Sequence, residues 1–201
     1  MNNQLSALLV EKSKKNYRNI TQLLAEADQC KVQLDCVATY EDGIEAIAAR
    51  RHQIYMIADD LGRQDLSGLD LLKEAIASGC NSPIILLLAQ EDPHKDVQAI
   101  RAGAADCLIK SQITASGLIR NLRYALERKC VEFELLQSNA RLQTALTNSP
   151  VIVFNQDKEL RYTWTHNLPA YFADKAVPGS TDHDIFSRED AAALAKIKRR
   201  V

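Results

Sequence analysis

Three short stretches carry the residues able to do chemistry. Asp59 and Asp60 follow directly on the apolar run Ile54–Ala58, Glu11 and Lys12 follow Ser6–Val10, and Lys110 follows Asp106–Ile109. Short apolar runs of this kind suit a buried strand and are too brief for a helix. Each of these side chains is therefore expected just past the carboxyl end of a strand, the edge at which open α/β sheets bind ligands. An acidic residue, an aspartate and a lysine in one cleft suit a carboxylate that accepts a phosphoryl group. The aspartate would be the nucleophile, acidic residues would hold a divalent cation, and the lysine would pair with phosphoryl oxygens. A capping role for Asp60 fails on spacing, because the helical pattern Leu69, Leu71, Leu72, Ile76 begins about eight residues later.

The elements that position these residues alternate regularly. Ser6–Val10 reads as a first buried strand, and Ile20, Leu23, Leu24 and Ala27 mark a helix over Asn16–Ala27. Val32, Leu34, Cys36 and Ala38 alternate with polar residues, as expected of a half-exposed edge strand. Tyr40–Arg51 is predicted helical, followed by strand Ile54–Ala58 and a helix from Leu69. Ile84–Leu88 is the most apolar run and is expected to be a central strand. Asp92–Ala102 reads as a helix stopped by Gly103, and Asp106–Ile109 as the fifth strand. Five strands alternating with helices through short loops predict an α/β fold, a doubly wound five-stranded parallel sheet with helices on both faces.

A fifth helix starts near Thr114 and meets no Pro until Asn148-Ser149-Pro150. Ile119, Leu122, Leu126, Phe133, Leu136 and Ala140 follow a three-four spacing, with Lys129 the polar member, which suits a coiled-coil seam and a homodimer. The other reading is that the first half packs on the sheet and the rest is a solvated linker. Beyond Pro150, Val151–Phe154 and Leu160–Thr165 read as a hairpin, Gly179–Phe186 as a turn into short helical material, and Arg188–Arg200 as a helix. Two strands and a few short helices are a thin basis for an independent core.

Composition limits the function classes. Of 201 residues, 46% are hydrophobic and 25% charged, the balance of a soluble globular protein. Net charge is -1, so no basic field exists to collect phosphates, and no nucleic-acid partner is expected. No apolar run reaches the ~18 residues of a membrane span, and Met1-Asn-Asn-Gln-Leu is no signal peptide. A cytoplasmic protein is expected. Cys30, Cys36, Cys80, Cys107 and Cys130 show no C-x-x-C spacing, and Cys36, Cys80 and Cys107 read as small core thiols. His52, His94, His166 and His183 form no ligand spacing, and His183 is expected in a solvated turn.

Residues 4–128 resemble the receiver domain of two-component response regulators, a flavodoxin-like fold. The resemblance is carried by Leu8-Leu-Val-Glu11, by Asp60 with Gly68 eight residues on, by Pro83-Ile-Ile-Leu-Leu-Leu-Ala89 and by Ala102-Gly-Ala-Ala-Asp-Cys-Leu-Ile-Lys110. It implies that Asp60 is the phosphoacceptor, charged by a partner sensor histidine kinase, that Lys110 is the family's lysine, and that Glu11 and Asp60 belong to a Mg2+ site. It implies a signalling module, not an enzyme.

The departures are specific. Lys12 stands at the second acidic position, where an ammonium opposes a divalent cation and can itself pair with Asp60. Leu88 replaces a hydroxyl residue, Cys107 an aromatic one, and Ser111 and Gln64 two prolines. The resemblance thus leaves a phosphorylated response regulator, transmitting through the fifth helix, beside a phosphorylation-independent pseudo-receiver acting as a dimerisation scaffold. Asp59 is expected to point away from Asp60 as a solvated neighbour. Residues 149–201 are similar to the first half of a PAS domain, on Val151–Phe154, Leu160–His166 and Gly179–Asp184, with 114–148 as the connecting helix. Three further PAS strands are expected and none follows Val201, so the chain reads as a shortened protein or the N-terminal fragment of a receiver–PAS sensor kinase. Trp164 and Tyr162 are expected to pack within the incomplete sheet.

Overall fold

The computed structural model describes residues 4–27, 31–62, 65–147, 151–169, 172 and 178–199. The chain divides into two compact units, Met1–Phe133 and Glu134–Val201. In the first, strands and helices alternate as β1 (Gln4–Val10), α1 (Lys14–Ala25), β2 (Lys31–Val37), α2 (Tyr40–Ala48), β3 (Ile54–Ala58), α3 (Gly68–Ala77), β4 (Ile84–Leu88), α4 (Pro93–Arg101) and β5 (Asp106–Ile109). A 3-10 turn, Lys110–Gln112, then leads into the helix α5 (Ala115–Thr147).

The five strands form one parallel sheet in the order β2-β1-β3-β4-β5. The change of direction at β1 opens a crevice between the β1 and β3 loops, the switch point at which such sheets bind ligands. Every side chain of β3 and β4 is buried, as required of strands covered on both faces. Alternation divides the core into two layers. Leu8, Val10, Tyr55, Ile57, Ile84 and Leu86 pack under α2, α3 and α4. Ala7, Leu9, Ile54, Met56, Ile85 and Leu87 pack under α1 and α5.

Several expectations change in detail. β4, expected to be a central strand, is internal, between β3 and β5. Helix α2 stops at Ala48, earlier than its pattern suggests, because Arg50 turns the chain at φ 52°. Cys36 is exposed, not a core thiol, whereas Cys80 is buried and Cys107 half-buried. β2 is an edge strand of the sheet, where burial is least complete. Cys30, Gln64, the stop at Asn148-Ser149-Pro150 and Arg200 lie outside the described residues.

Helix α5 uses its predicted seam in two ways. Ile119, Leu122 and Leu126 lie in the core against the sheet, together with Leu118 and Ala125. Beyond them Val131, Phe133, Leu135, Leu136 and Leu142 are exposed. The first half of the seam is therefore already covered by the chain's own sheet.

In the second unit, β6 (Val153–Gln156) and β7 (Tyr162–His166) pair antiparallel, with an irregularity at Asn155/Gln156. Among the described residues, helices Asp182–Ile185 and Arg188–Lys198 follow. Buried Asp182 accepts from the Tyr162 hydroxyl at 2.6 Å and from the Lys198 ammonium at 2.7 and 2.8 Å. Burial and then this carboxylate push the Tyr162 phenol well above its ordinary pKa. Trp164 is exposed and stacks on His166 at 5.9 Å.

Gly68, eight residues after Asp60, sits where no side chain fits. Its N–H donates to the Asp59 carbonyl at 2.8 Å, so α3 begins directly against the end of β3. A Cβ there would lie 2.0 Å from the Ala58 carbonyl oxygen and 2.9 Å from Asp59 Cα. Backbone cannot yield as a side-chain tip can. Gly68→Ala is expected to lower unfolding stability by about 3 kcal/mol, the upper end of overpacking costs, measured by urea denaturation; a loss below about 1 kcal/mol contradicts the close approach.

Candidate functional site

The carboxyl ends of β1, β3 and β5 bring Glu11, Lys12, Asp60 and Lys110 to one cleft of about 390 Å³, lined also by Asn16, Leu87, Ala89 and Ser111. A larger cleft of about 660 Å³ lies beside β2 and α2 and holds His52 and Asp35, whose Nε2 and Oδ2 lie 2.9 Å apart, away from the strand-end residues.

Asp60 follows β3 and its side chain is 62% exposed. Its Oδ1 accepts from Lys12 Nζ at 2.6 Å and from the Gly62 N–H at 2.8 Å. Gly62 can turn that N–H inward because its φ is +85°, a conformation costly for other residues. Lys12, then the Gly62 N–H, hold the Asp60 carboxyl below its usual pKa, with the more distant charge of Lys110 adding to the effect. Among the described residues, Oδ2 makes no hydrogen bond. Asp60 thus presents one oriented oxygen and one open one.

Glu11 is the opposite case, with only 2% of its side chain exposed. Its Oε1 accepts from the Ser13 N–H at 2.9 Å, and its Oε2 from Asn16 Nδ2 at 3.0 Å and Lys110 Nζ at 2.7 Å. Lys110, 17% exposed, is thereby committed to Glu11. The cleft contains two lysine–carboxylate pairs side by side, and their formal charges cancel.

The predicted residues Glu11, Asp60 and Lys110 are thus brought together, with Lys12 on Asp60. Leu88 packs in the core and gives the cleft no hydroxyl. Cys107 is no aromatic substitute, and burial followed by hydrogen bonding to Asp96 pushes its thiol up to about 12. Asp59 departs from expectation. Its side chain is only 11% exposed and pairs with Lys95 of α4 at 3.1 Å, its Oδ1 buried and, among the described residues, without a hydrogen-bond partner. The alternation was read correctly, but α4 covers the face to which Asp59 points. Sequence reasoning missed Lys95, whose one signal is a cation in the first turn of the helix after β4.

Residues 7–123, more than half of the chain, match the family model described as the response regulator receiver domain. The chain belongs to this family. The receiver is 32% identical over 77 residues to the two-component response regulator PhoP of Pseudomonas aeruginosa, a match covering 38% of this chain and 33% of that protein. It is 34% identical over 102 residues to the transcriptional regulatory protein KdpE of Mycobacterium tuberculosis, covering 50% and 44%. The matches thus span less than half the length of either relative. Among solved structures it is similar to the signal receiver domain of a protein described as a Luxo repressor from Vibrio parahaemolyticus, with a TM-score of 0.56 and 25% identity, over 66% of this chain and 97% of that one.

Receiver domains of two-component systems interact with histidine kinases and generally bind Mg2+ at an acidic pocket. Hard cations take several oxygen ligands, whereas the two carboxylates here each hold an ammonium. Among the described residues, no group of three or more His, Cys, Asp or Glu is placed to hold a metal. No helix among them is long and apolar enough to cross a membrane.

The two pairs differ in energetic weight. Lys12–Asp60 is exposed, and such pairs contribute ~1 kcal/mol or less. Because the folded carboxyl is lowered, that small stabilisation is present above the ordinary carboxylate pKa and lost as pH falls through the lowered value. Lys12→Met should raise the Asp60 midpoint toward the ordinary carboxylate range, with the Gly62 N–H still holding it below that range, read by carbon NMR of the carboxyl, with unfolding stability nearly unchanged. Lys110→Met leaves a buried Glu11 charge without its cation and should cost about 3 kcal/mol, read by urea denaturation. Equal losses in the two variants contradict this division.

Proposed function

We propose that this chain is a signalling module of a two-component phosphorelay in which Asp60 accepts a phosphoryl group from a partner histidine kinase. The observation that carries the reading is the open Oδ2 of an exposed aspartate at the sheet's switch point, its other oxygen fixed by Lys12 and Gly62. Lys110 stands close enough to stabilise charge in the cleft. The Mg2+ site of Glu11 and Asp60 is weakened by Lys12, and both carboxylates are already paired. The names of PhoP and KdpE, a response regulator and a transcriptional regulatory protein, favour a regulatory role over an enzymatic one.

In this reading residues 4–128 are the receiver, 114–148 the connecting helix and 149–201 a PAS-like segment. The change at Asp60 travels along α5, whose exposed apolar residues beyond Lys129 pair with a second copy. The net charge of -1 favours protein partners over nucleic acid or an anionic membrane. A second reading is favoured by Lys12 itself. Its 2.6 Å contact with Asp60 suits a pseudo-receiver held in one state, with the chain acting as a dimerisation scaffold.

Intact mass after incubation with acetyl phosphate separates the two. One phosphoryl adduct is expected on the parent protein and none on Asp60→Asn; an adduct that survives the substitution removes Asp60 from its role. For the helix, Phe133→Glu with Leu136→Glu avoids the residues packed on the sheet. Light scattering should show a dimer for the parent and a monomer for the variant, and an unchanged mass rules out pairing through this part of α5.

A further inference from the structure

We infer that Lys12 is a tethered counter-ion that takes over, in phosphoryl transfer to Asp60, the charge neutralisation that a divalent cation would otherwise supply. The site then needs no metal. This rests on the reading of Asp60 as the acceptor.

Three observations converge on it. First, Lys12 engages only Oδ1, at 2.6 Å, on the oxygen that Gly62 also holds. The pair orients the carboxylate without blocking Oδ2. Second, an ammonium carries three donors, and among the described residues Lys12 spends one on Asp60. Its side chain is 42% exposed at the mouth of the cleft, so the remaining N–H groups can meet an incoming phosphoryl oxygen. Third, Glu11 is in no position to help hold a cation. Both of its oxygens are filled by Ser13, Asn16 and Lys110, and a divalent ion would enter a cleft whose charges already cancel, beside two ammonium groups.

The step balances without a metal. Asp60 Oδ2 attacks phosphorus, an O–P bond forms, and the bond from phosphorus to the leaving group breaks with its electron pair. With acetyl phosphate the leaving group is acetate, and the products are the aspartyl phosphate and acetate ion. Lys12 remains protonated throughout. One N–H keeps Oδ1 in place while another follows the negative charge on the phosphoryl oxygens, a preorganised donor of the kind whose removal costs ~10²-fold or more in rate.

The experiment follows adduct formation from acetyl phosphate by intact mass, in EDTA and in millimolar Mg2+, for the parent, Lys12→Met and Lys12→Asp. The parent is expected to react at the same rate in both media, within about twofold. Lys12→Met should be slower by ~10²-fold in EDTA, and Lys12→Asp should react only when Mg2+ is present. Thermal melting gives an independent reading: Mg2+ should leave the parent's midpoint unchanged and raise that of Lys12→Asp. A parent that reacts only with Mg2+, or whose midpoint Mg2+ raises, overturns the counter-ion role while leaving Asp60 as acceptor. The role also falls if Lys12→Met keeps the parent's rate in EDTA, or if only Lys12→Asp forms an adduct. No adduct on any of the three overturns the acceptor reading and this inference with it.

Discussion

A carboxylate buried as deeply as Glu11 must have its charge answered, and the way this is done fixes the functional edge of the sheet. Removing an ionised group from water is costly unless it is paired and hydrogen-bonded. Glu11 meets that condition through Ser13, Asn16 and Lys110. The partners come from the loop after β1, the first turn of α1 and the end of β5, strands separated in the sheet by β3 and β4. One ion pair therefore draws the two sides of the crevice together and sets its width. It also removes Lys110 from direct contact with Asp60, which is left to Lys12.

The cleft is consequently divided between a buried structural pair and an exposed labile one. Desolvation makes breaking the Glu11–Lys110 pair expensive, so it acts as a fixed wall. The Lys12–Asp60 pair is open to solvent and held by one short contact, which leaves the other N–H groups of the ammonium facing the cleft. With Lys12 in place the formal charges of the cleft cancel, and this balance underlies the proposal that a tethered ammonium meets the incoming anion directly.

Much of this fold was legible in the chain because burial on both faces writes a simple pattern. Ile54–Ala58, Ile84–Leu88 and Asp106–Ile109 have the bounds that the apolar runs suggested. The convergence of Glu11, Lys12, Asp60 and Lys110 followed from strand order alone. What was not legible were choices among partners. Nothing in the spacing says that Lys110 prefers Glu11, or that α4 would bring Lys95 over Asp59 and turn a nominally solvated side chain into a mostly buried one. Cys36 fails for a related reason: alternation places it on the side of β2 that Val32 and Leu34 turn to the core, but does not say that the thiol itself stays exposed.

Helix α5 carries the same lesson to longer range. A three-four apolar repeat records that one face avoids water; it does not record what covers that face. Up to Leu126 the cover is the sheet of the same chain, and Leu118, Leu122 and Ala125 are as buried as strand residues. Past Lys129 the repeat runs on through Phe133 and Leu136 with those side chains in solvent. Surface helices of soluble proteins normally become polar where their packing partner ends, because nothing offsets the hydration cost of a continued apolar stripe. A repeat that keeps its period after leaving the sheet is what the proposed pairing with a second copy would use, whereas a linker sequence would be free to drift.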